Sequence, residues 1–348
     1  MIEFANTTLE DIIIHWVGNK SKEEDLKLSK KNFAIDNQLL RNLLLQYFLK
    51  PFSKPEFFHF THASDIQLNE VFNYCSKIFD DPSNLFIQSI HIAKHLHEKS
   101  IHPQIKAGEF YVVYLDNCVV DNETVDAIGL FKSESKDSYL KVNANAQGFD
   151  IDHDEGININ KLDKGCLIFN TEKEKGFKIC LVDNTNKNND AQYWKDQFIH
   201  AKPREDSFHH TKNYLNLCNT FVGDKMKESF DVSKADEIDL LNRSIKYFKE
   251  KTAFDIVEFS NEVLQQTDII DAFKDFKKTQ ADDNQVNYFD EFDISTPATK
   301  ASAKFFKSIL KLDKNFHVYI HGNKDMIEKG FCADRKMNFY QLYYKEES

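Results

Sequence analysis

The sequence predicts an α+β protein, and three observations carry that prediction. Apolar residues recur at helical spacing through the first hundred positions, the period shortens to that of strands from Gly108 to about Asn184, and helical periodicity then returns until two strand-like runs near the end. Of 348 residues, 41% are hydrophobic and 29% charged, which is enough apolar surface to bury cores in about two domains. The expected division is a mixed helix-and-sheet domain over 1–227 and a smaller, mainly helical domain over 228–348 that closes with a hairpin.

Each element follows from local pattern. After a short β-like run, Ile12 to Val17, the residues Leu39, Leu40, Leu43, Leu44, Tyr47 and Phe48 place an apolar stripe on one helical face, and Pro51 ends it. Val71, Phe72, Cys75, Ile78 and Phe79 repeat the pattern, as do Phe86, Ile87, Ile90 and Leu96 in a helix begun by Asp81-Pro82-Ser83. Residues 36–100 are therefore expected to form three packed helices. EFYVVYLDN, TVDAIGLFKS, DSYLKVNA, KGCLIFN and GFKICLVDN are rich in β-branched and aromatic residues and are separated by turns such as Asp121-Asn122 and Lys175-Gly176, predicting an antiparallel sheet of about five strands. Helical patterns resume at Ala191 to His200 and Phe208 to Lys227 and continue to about Gln280. The acidic run ADDNQVNYFDEFDISTP reads as a linker or exposed loop punctuated by Pro297. A last helix is expected from Thr299 to Leu312, followed by FHVYIHG and NFYQLYY as a terminal hairpin.

Composition narrows the function classes. Glycine and proline are scarce, at 10 and 6 residues, and neither GxGxxG nor GxxxxGK[ST] occurs, so no glycine-rich phosphate cradle is predicted. The opening MIEFANTTLEDIIIHWVGNK carries acids ahead of a short apolar run, so neither a secretory signal nor a membrane span is expected and the protein is placed in the cytoplasm. The six cysteines lie far apart without CxxC or finger spacing and read as reduced, small, buried side chains. The net charge is −11, and only Arg41, Arg204, Arg243 and Arg335 offer the forked donor suited to phosphate and guanine. Any contact with nucleic acid must then be local and made mostly by lysine.

One stripe meets that requirement. Lys300, Lys304, Lys307, Lys311 and Lys314 are separated by four, three, four and three residues, so on a continuous α-helix all five ammoniums share a narrow face, and no acid occurs within 298–312. Such a face could track a phosphate backbone without reading sequence. The plainer reading is a solvated face of an amphipathic helix.

Other constellations are weaker. His91 and His95 stand four apart on a predicted helix, but no HExxH glutamate accompanies them and zinc needs three or four converging ligands, so no metal is assigned. His209-His210 precedes a helix start and His59 and His62 flank a loop, where capping is the simpler role. DIDHDEG lacks the glycine and glutamate of a calcium loop. Asp126 followed by Glu134-Ser135-Lys136 has the D…ExK order of metal-dependent nucleases of the PD-(D/E)xK type, a short pattern that arises often by chance.

The blocks SIHIAKHLHEKSIHPQIKAGEFYVVYLDN, DAIGLFKSESKDSYLKV, KLDKGCLIFN, AQYWKDQF, HHTKNYL and KSILKLDKNFHVYIHG, taken in this order, resemble the bacterial nucleoid-associated protein family of the YejK/NdpA type over nearly the whole chain. The resemblance implies a cytoplasmic protein at the nucleoid that binds DNA, or proteins working on DNA, with no established enzymatic activity and no functional residues to carry over. The reading that joins it to the residues is a non-enzymatic protein, without cofactor or metal, that contacts duplex DNA through Lys300, Lys304, Lys307, Lys311 and Lys314 without strong sequence preference. An adaptor of DNA-processing enzymes, docking through Tyr288, Phe289, Asp290, Glu291 and Phe292, is the alternative, and a nuclease using Asp126, Glu134 and Lys136 a third. Edge strands on an acidic, Phe-rich chain leave a homodimer open.

Overall fold

A computed structural model describes residues 2–52, 56–185, 193–284, 286–306, 309–320 and 326–346. The chain forms two compact units, Met1–Arg204 and Glu205–Ser348, in an α+β arrangement. The division falls at Arg204 rather than after 227, because the helix that follows it packs into the second core.

In the first unit, strands β1 (Ile2–Glu3), β2 (Thr8–Val17), β3 (Leu26–Lys27), β4 (Phe57–Phe60), β5 (Gly108–Val120) and β6 (Glu123–Ser133) precede a separate ribbon of β7 (Asp137–Asn145) and β8 (Gly148–Gly156); β9 (Lys164–Phe169), β10 (Lys178–Asp183) and β11 (Ala201–Pro203) follow it. Among the described residues the main antiparallel sheet runs β11-β4-β10-β9-β6-β5-β2-β3, with β1 also on β5. β5 and β6 are joined by Asp121-Asn122, both at positive φ, as a tight hairpin turn matched to strand twist requires. Gly176, at φ 100°, turns β9 into β10, and a Cβ there would lie 2.5 Å from the Phe60 carbonyl.

Period-two alternation in β5 and β6 sends side chains to two separate cores. Phe110, Val112, Tyr114, Ile128 and Leu130 face α2 (Glu70–Asp80) and α3 (Leu85–Lys99), together with Trp194 and Phe198 from a π-helical turn at Tyr193–Ile199. Tyr111, Val113, Leu115, Ala127 and Phe131 face the end of α1 (Gln38–Leu49), where Phe48 stacks on Phe131 with centroids 4.3 Å apart. The three expected helices are all present, but α1 and the α2/α3 pair cover opposite faces of the sheet. β4, not anticipated as a strand, carries the chain between α1 and α2 and pairs with β10 and β11. Asn69 caps α2 by accepting from Phe72 N, while its amide donates to the carbonyls of Thr61 and Ile199.

DSYLKVNA does not join the sheet. It forms β7 and, among the described residues, pairs only with β8, leaving Leu140, Val142, Phe149 and Ile151 exposed on one side.

The second unit holds α4 (Ser207–Thr220), α5 (Met226–Ser229), α6 (Lys234–Glu250), β12 (Ala253–Asp255), α7 (Ile256–Phe259), α8 (Thr267–Asn284), β13 (Glu291–Asp293), α9 (Thr296–Ser302) and strands β14 (Ile309–Leu312), β15 (Phe316–Tyr319), β16 (Ile327–Cys332) and β17 (Met337–Leu342). The acidic run 281–297 is not an exposed linker: β13 pairs with β12, and Phe292 stacks on its cross-strand partner Phe254 at 4.8 Å inside a cluster with Tyr214 and Phe259. The end of the chain is two hairpins, β14-β15 and β16-β17, rather than one hairpin of FHVYIHG with NFYQLYY, because each candidate strand has a nearer partner across a short turn.

The first core contains a buried imidazole. Ser29 N–H donates to His15 Nδ1 at 3.1 Å, so Nε2 carries the proton toward Ser89 Oγ, 3.0 Å away, tying β2 to α3. Burial pushes His15 from its ordinary 6.5 down to about 4. The unfolded chain then takes up a proton that the folded chain refuses. The contribution of this group is complete above pH 6.5 and is lost as pH falls from 6.5 toward 4, by about 3 kcal/mol. Urea unfolding at a series of pH values should show this loss, and His15→Asn should remove that part of the slope.

Candidate nucleic-acid interface

The final helix is much shorter than its lysine spacing suggests. Ser295 caps α9 by accepting from Ala298 N, a single 3-10 turn follows at Ala303–Phe305, and Phe306 leaves the helical region. The four described lysines thus share no helical face. Lys300 lies on α9, Lys304 on the 3-10 turn, Lys311 on β14 and Lys314 in the turn to β15; Lys307 lies outside the described residues. The cause is a competing pattern. Leu310, Lys311 and Leu312 alternate with period two, so extended pairing with Phe316–Tyr319 buries Leu310 against Ile238 and Ile320, with Leu312 and Val318 packed beside them.

All four described lysines are exposed, and none forms an ion pair among the described residues. Lys304 Nζ sits 4.9 Å from the centre of the Phe305 ring. Lys311 lies opposite His317, and Ile309 opposite Tyr319, on the side of the hairpin away from Leu310. From 298 to 345 the chain carries ten basic residues, Lys300, Lys304, Lys307, Lys311, Lys314, Lys324, Lys329, Arg335, Lys336 and Lys345, against four acids, Asp313, Asp325, Glu328 and Asp334. This excess of cations stands in a chain of net charge −11. The same stretch exposes Phe305, Phe316, Tyr319, Phe331 and Tyr344. Helical spacing alone missed these rings, although clustering of Phe and Tyr among polar residues was a visible signal.

The other candidates are dispersed or committed elsewhere. Asp126 accepts from Tyr114 OH at 2.9 Å, whereas Glu134 lies eight positions on, about 26 Å along an extended strand, and Lys136 pairs with Glu109 at 2.9 Å, so the D…ExK residues do not converge. His91 stacks on Tyr74, and the His95 ring nitrogen lies 3.3 Å from the Phe198 carbonyl. His59 meets Glu172 at 2.6 Å, and Asn213 lies 2.8 Å from His209. His62 Nδ1 accepts from Ser64 N. Among the described residues no three His, Cys, Asp or Glu side chains gather as metal ligands would. Tyr288 and Phe292, two rings of the expected docking segment, pack against the second core, and only Phe289 of its three rings is well exposed.

Glu134 has a different role. Its Oε1 accepts from Lys132 Nζ and from Tyr193 OH, each at 3.0 Å, and Lys132 also donates to the Lys106 carbonyl. Lys164, 4.0 Å from Glu134, is held by both oxygens of Asp183 at 2.8 and 2.9 Å. Lys132, Glu134 and Lys164 are almost fully buried, and burial pushes the Lys132 ammonium down while the Glu134 carboxylate opposes that. Every charge has a partner, so the cluster ties the ends of β6, β9 and β10 together. Glu134→Ala should cost about 3–5 kcal/mol in urea unfolding by stranding a buried ammonium, whereas Lys136→Ala should cost about 1 kcal/mol or less. Equal effects would contradict this assignment.

No helix among the described residues is long and apolar enough to cross a membrane. No curated protein matches the chain. A family model described as nucleoid-associated protein YejK does match, over residues 13–336, and its description implies association with DNA. With nearly its whole length covered, the chain belongs to the nucleoid-associated protein YejK family, a bacterial family located at the cytoplasmic nucleoid.

Proposed function

We propose that this nucleoid-associated protein is a non-enzymatic DNA-binding protein that contacts phosphates directly, without strong sequence preference, through the lysines of its C-terminal segment. One observation carries the reading: Lys300, Lys304, Lys311 and Lys314 stand exposed and without carboxylate partners in a stretch of net positive charge, within an otherwise acidic chain. Lys307 belongs to the same stretch of sequence. Ammonium groups on flexible stems bind phosphate as point charges and release condensed counterions, which supplies affinity but no base readout. Scarcity of free arginine supports the absence of sequence preference. Arg41 donates to the carbonyls of Leu9 and Ile35, Arg204 pairs with Glu172 and Arg243 pairs with Asp239, which leaves Arg335 as the one exposed arginine without a partner among the described residues.

The lysines need not share a helix for this. Phosphate contact tolerates cations spread over a short helix, a turn and a hairpin, provided that they remain solvent-facing. A salt titration of binding to random duplex DNA tests the reading. Four lysine–phosphate contacts predict a slope of log affinity against log salt of about −3 to −4. Changing Lys300, Lys304, Lys311 and Lys314 to glutamate should bring that slope close to zero and abolish gel-shift retention near physiological salt. Unchanged retention would overturn the reading, and nuclease-resistant co-purification with a DNA-processing enzyme would then point to the adaptor role.

A further inference from the structure

Six aromatic side chains among the described residues are more than half exposed, and five of them, Phe305, Phe316, Tyr319, Phe331 and Tyr344, fall within the C-terminal 305–344. Isolated exposed apolar residues are ordinary, but a cluster of rings in one short stretch marks a contact surface. The strand registers show how the rings are presented. In β14-β15, Leu310, Leu312 and Val318 turn toward Ile238 and Ile320, and the side carrying Lys311, His317 and Tyr319 is exposed, with no covering layer among the described residues. Phe316, opposite Leu312, belongs to the packed side of β14-β15, and Phe331 to the side of β16-β17 from which Ile327 and Tyr340 pack on the same small cluster, yet both rings remain exposed.

We infer that the C-terminal hairpins bind single-stranded nucleic acid in preference to duplex, with unpaired bases stacking on Tyr319 of the first hairpin and the exposed Phe331 of the second, and phosphates meeting Lys311 and Lys314. The inference rests on the phosphate-binding role proposed above and adds the kind of strand bound. Charge complementarity selects a polyanion, since ten basic residues face four acids over 298–345. The exposed rings then select among polyanions. Duplex DNA offers phosphates to lysine but keeps its base faces stacked inside, so it makes no use of an exposed phenyl or phenol face. A single strand offers both, and stacking accepts any base because every base has a π face. A ribbon that carries Lys311 and the exposed ring of Tyr319 on one open side suits that ligand, as basic grooves with aromatic platforms do in general.

The test uses the full chain and fluorescence anisotropy with two probes, an oligothymidylate of about 20 nucleotides and a random duplex of about 20 base pairs, a length that spans at least one single-strand site. The single strand should bind about tenfold tighter or more. Combined Tyr319→Ala and Phe331→Ala substitution should weaken single-strand binding by about tenfold or more and shift duplex binding less than about threefold, while Tyr319→Phe retains single-strand affinity because the ring remains. Photocrosslinking of the unaltered chain to a bromouracil-containing strand reads the same contact without relying on a variant, and should label the hairpin rings. Equal or tighter duplex binding, or an alanine variant with its thermal midpoint intact and its single-strand affinity unchanged, would overturn the inference while leaving the phosphate-binding role standing; crosslinks confined to residues before 204 would overturn both. Failure of both probes to bind would overturn both.

Discussion

A sheet covered on both faces cannot hold an unpaired charge between its layers, and that constraint orders the first unit of this protein. Phe110, Val112 and Tyr114 on one side, with Tyr111, Val113 and Leu115 on the other, fill the space that a solvated ion would need. Ionisable residues in the strands are pushed to the ends and paired there. Lys132 and Lys164 meet Glu134 and Asp183 near one end, and Lys178 meets Asp121 and Glu172 elsewhere on the sheet. Burial alone would raise the Glu172 carboxyl, but hydrogen bonds from His59 and Lys178 hold it below the usual carboxylate range. These cations are consumed by the fold and have little left for a ligand.

The C-terminal hairpins are built under the opposite condition. They are two-stranded, their shared apolar cluster is small, and among the described residues no second layer covers one side of β14-β15. A ribbon this thin cannot bury its charges or most of its rings, so both remain in solvent. An acidic chain thereby keeps available cations where its structure is thinnest. Proximity to DNA, which family membership implies, requires such a place, because the summed charge of the molecule would otherwise oppose approach to a polyanion.

Much of this was legible in the residues. The α+β class, helices α1 to α3, strands β5, β6, β9 and β10 and the Asp121-Asn122 turn all follow from periodicity and turn chemistry, because each is long or sharply punctuated. What stayed hidden depends on tertiary pairing. β4 and β11 are short and acquire their identity only by hydrogen bonding to each other and to β10, and α1 could not be assigned to the far side of the sheet without knowing that β4 intervenes. Phe292 sits among acids that read as loop, yet a single cross-strand stack on Phe254 draws the segment into the core. The lysine stripe misled for a similar reason. Spacings of four and three suit a helix, but Leu310 and Leu312 flank Lys311 with the period of a strand, and a hairpin partner that begins four residues beyond Leu312 decided between them.

The proposed contact with nucleic acid is made by the thin, cationic end of the chain and by no part of the two-faced sheet. Amide hydrogen exchange of the full-length protein, with and without DNA, measures this most directly. The account predicts slowed exchange confined to α9 and β14 to β17, with the amides of β5, β6 and β9 unchanged. Protection confined to the first unit, or no change anywhere in the presence of bound DNA, would contradict it.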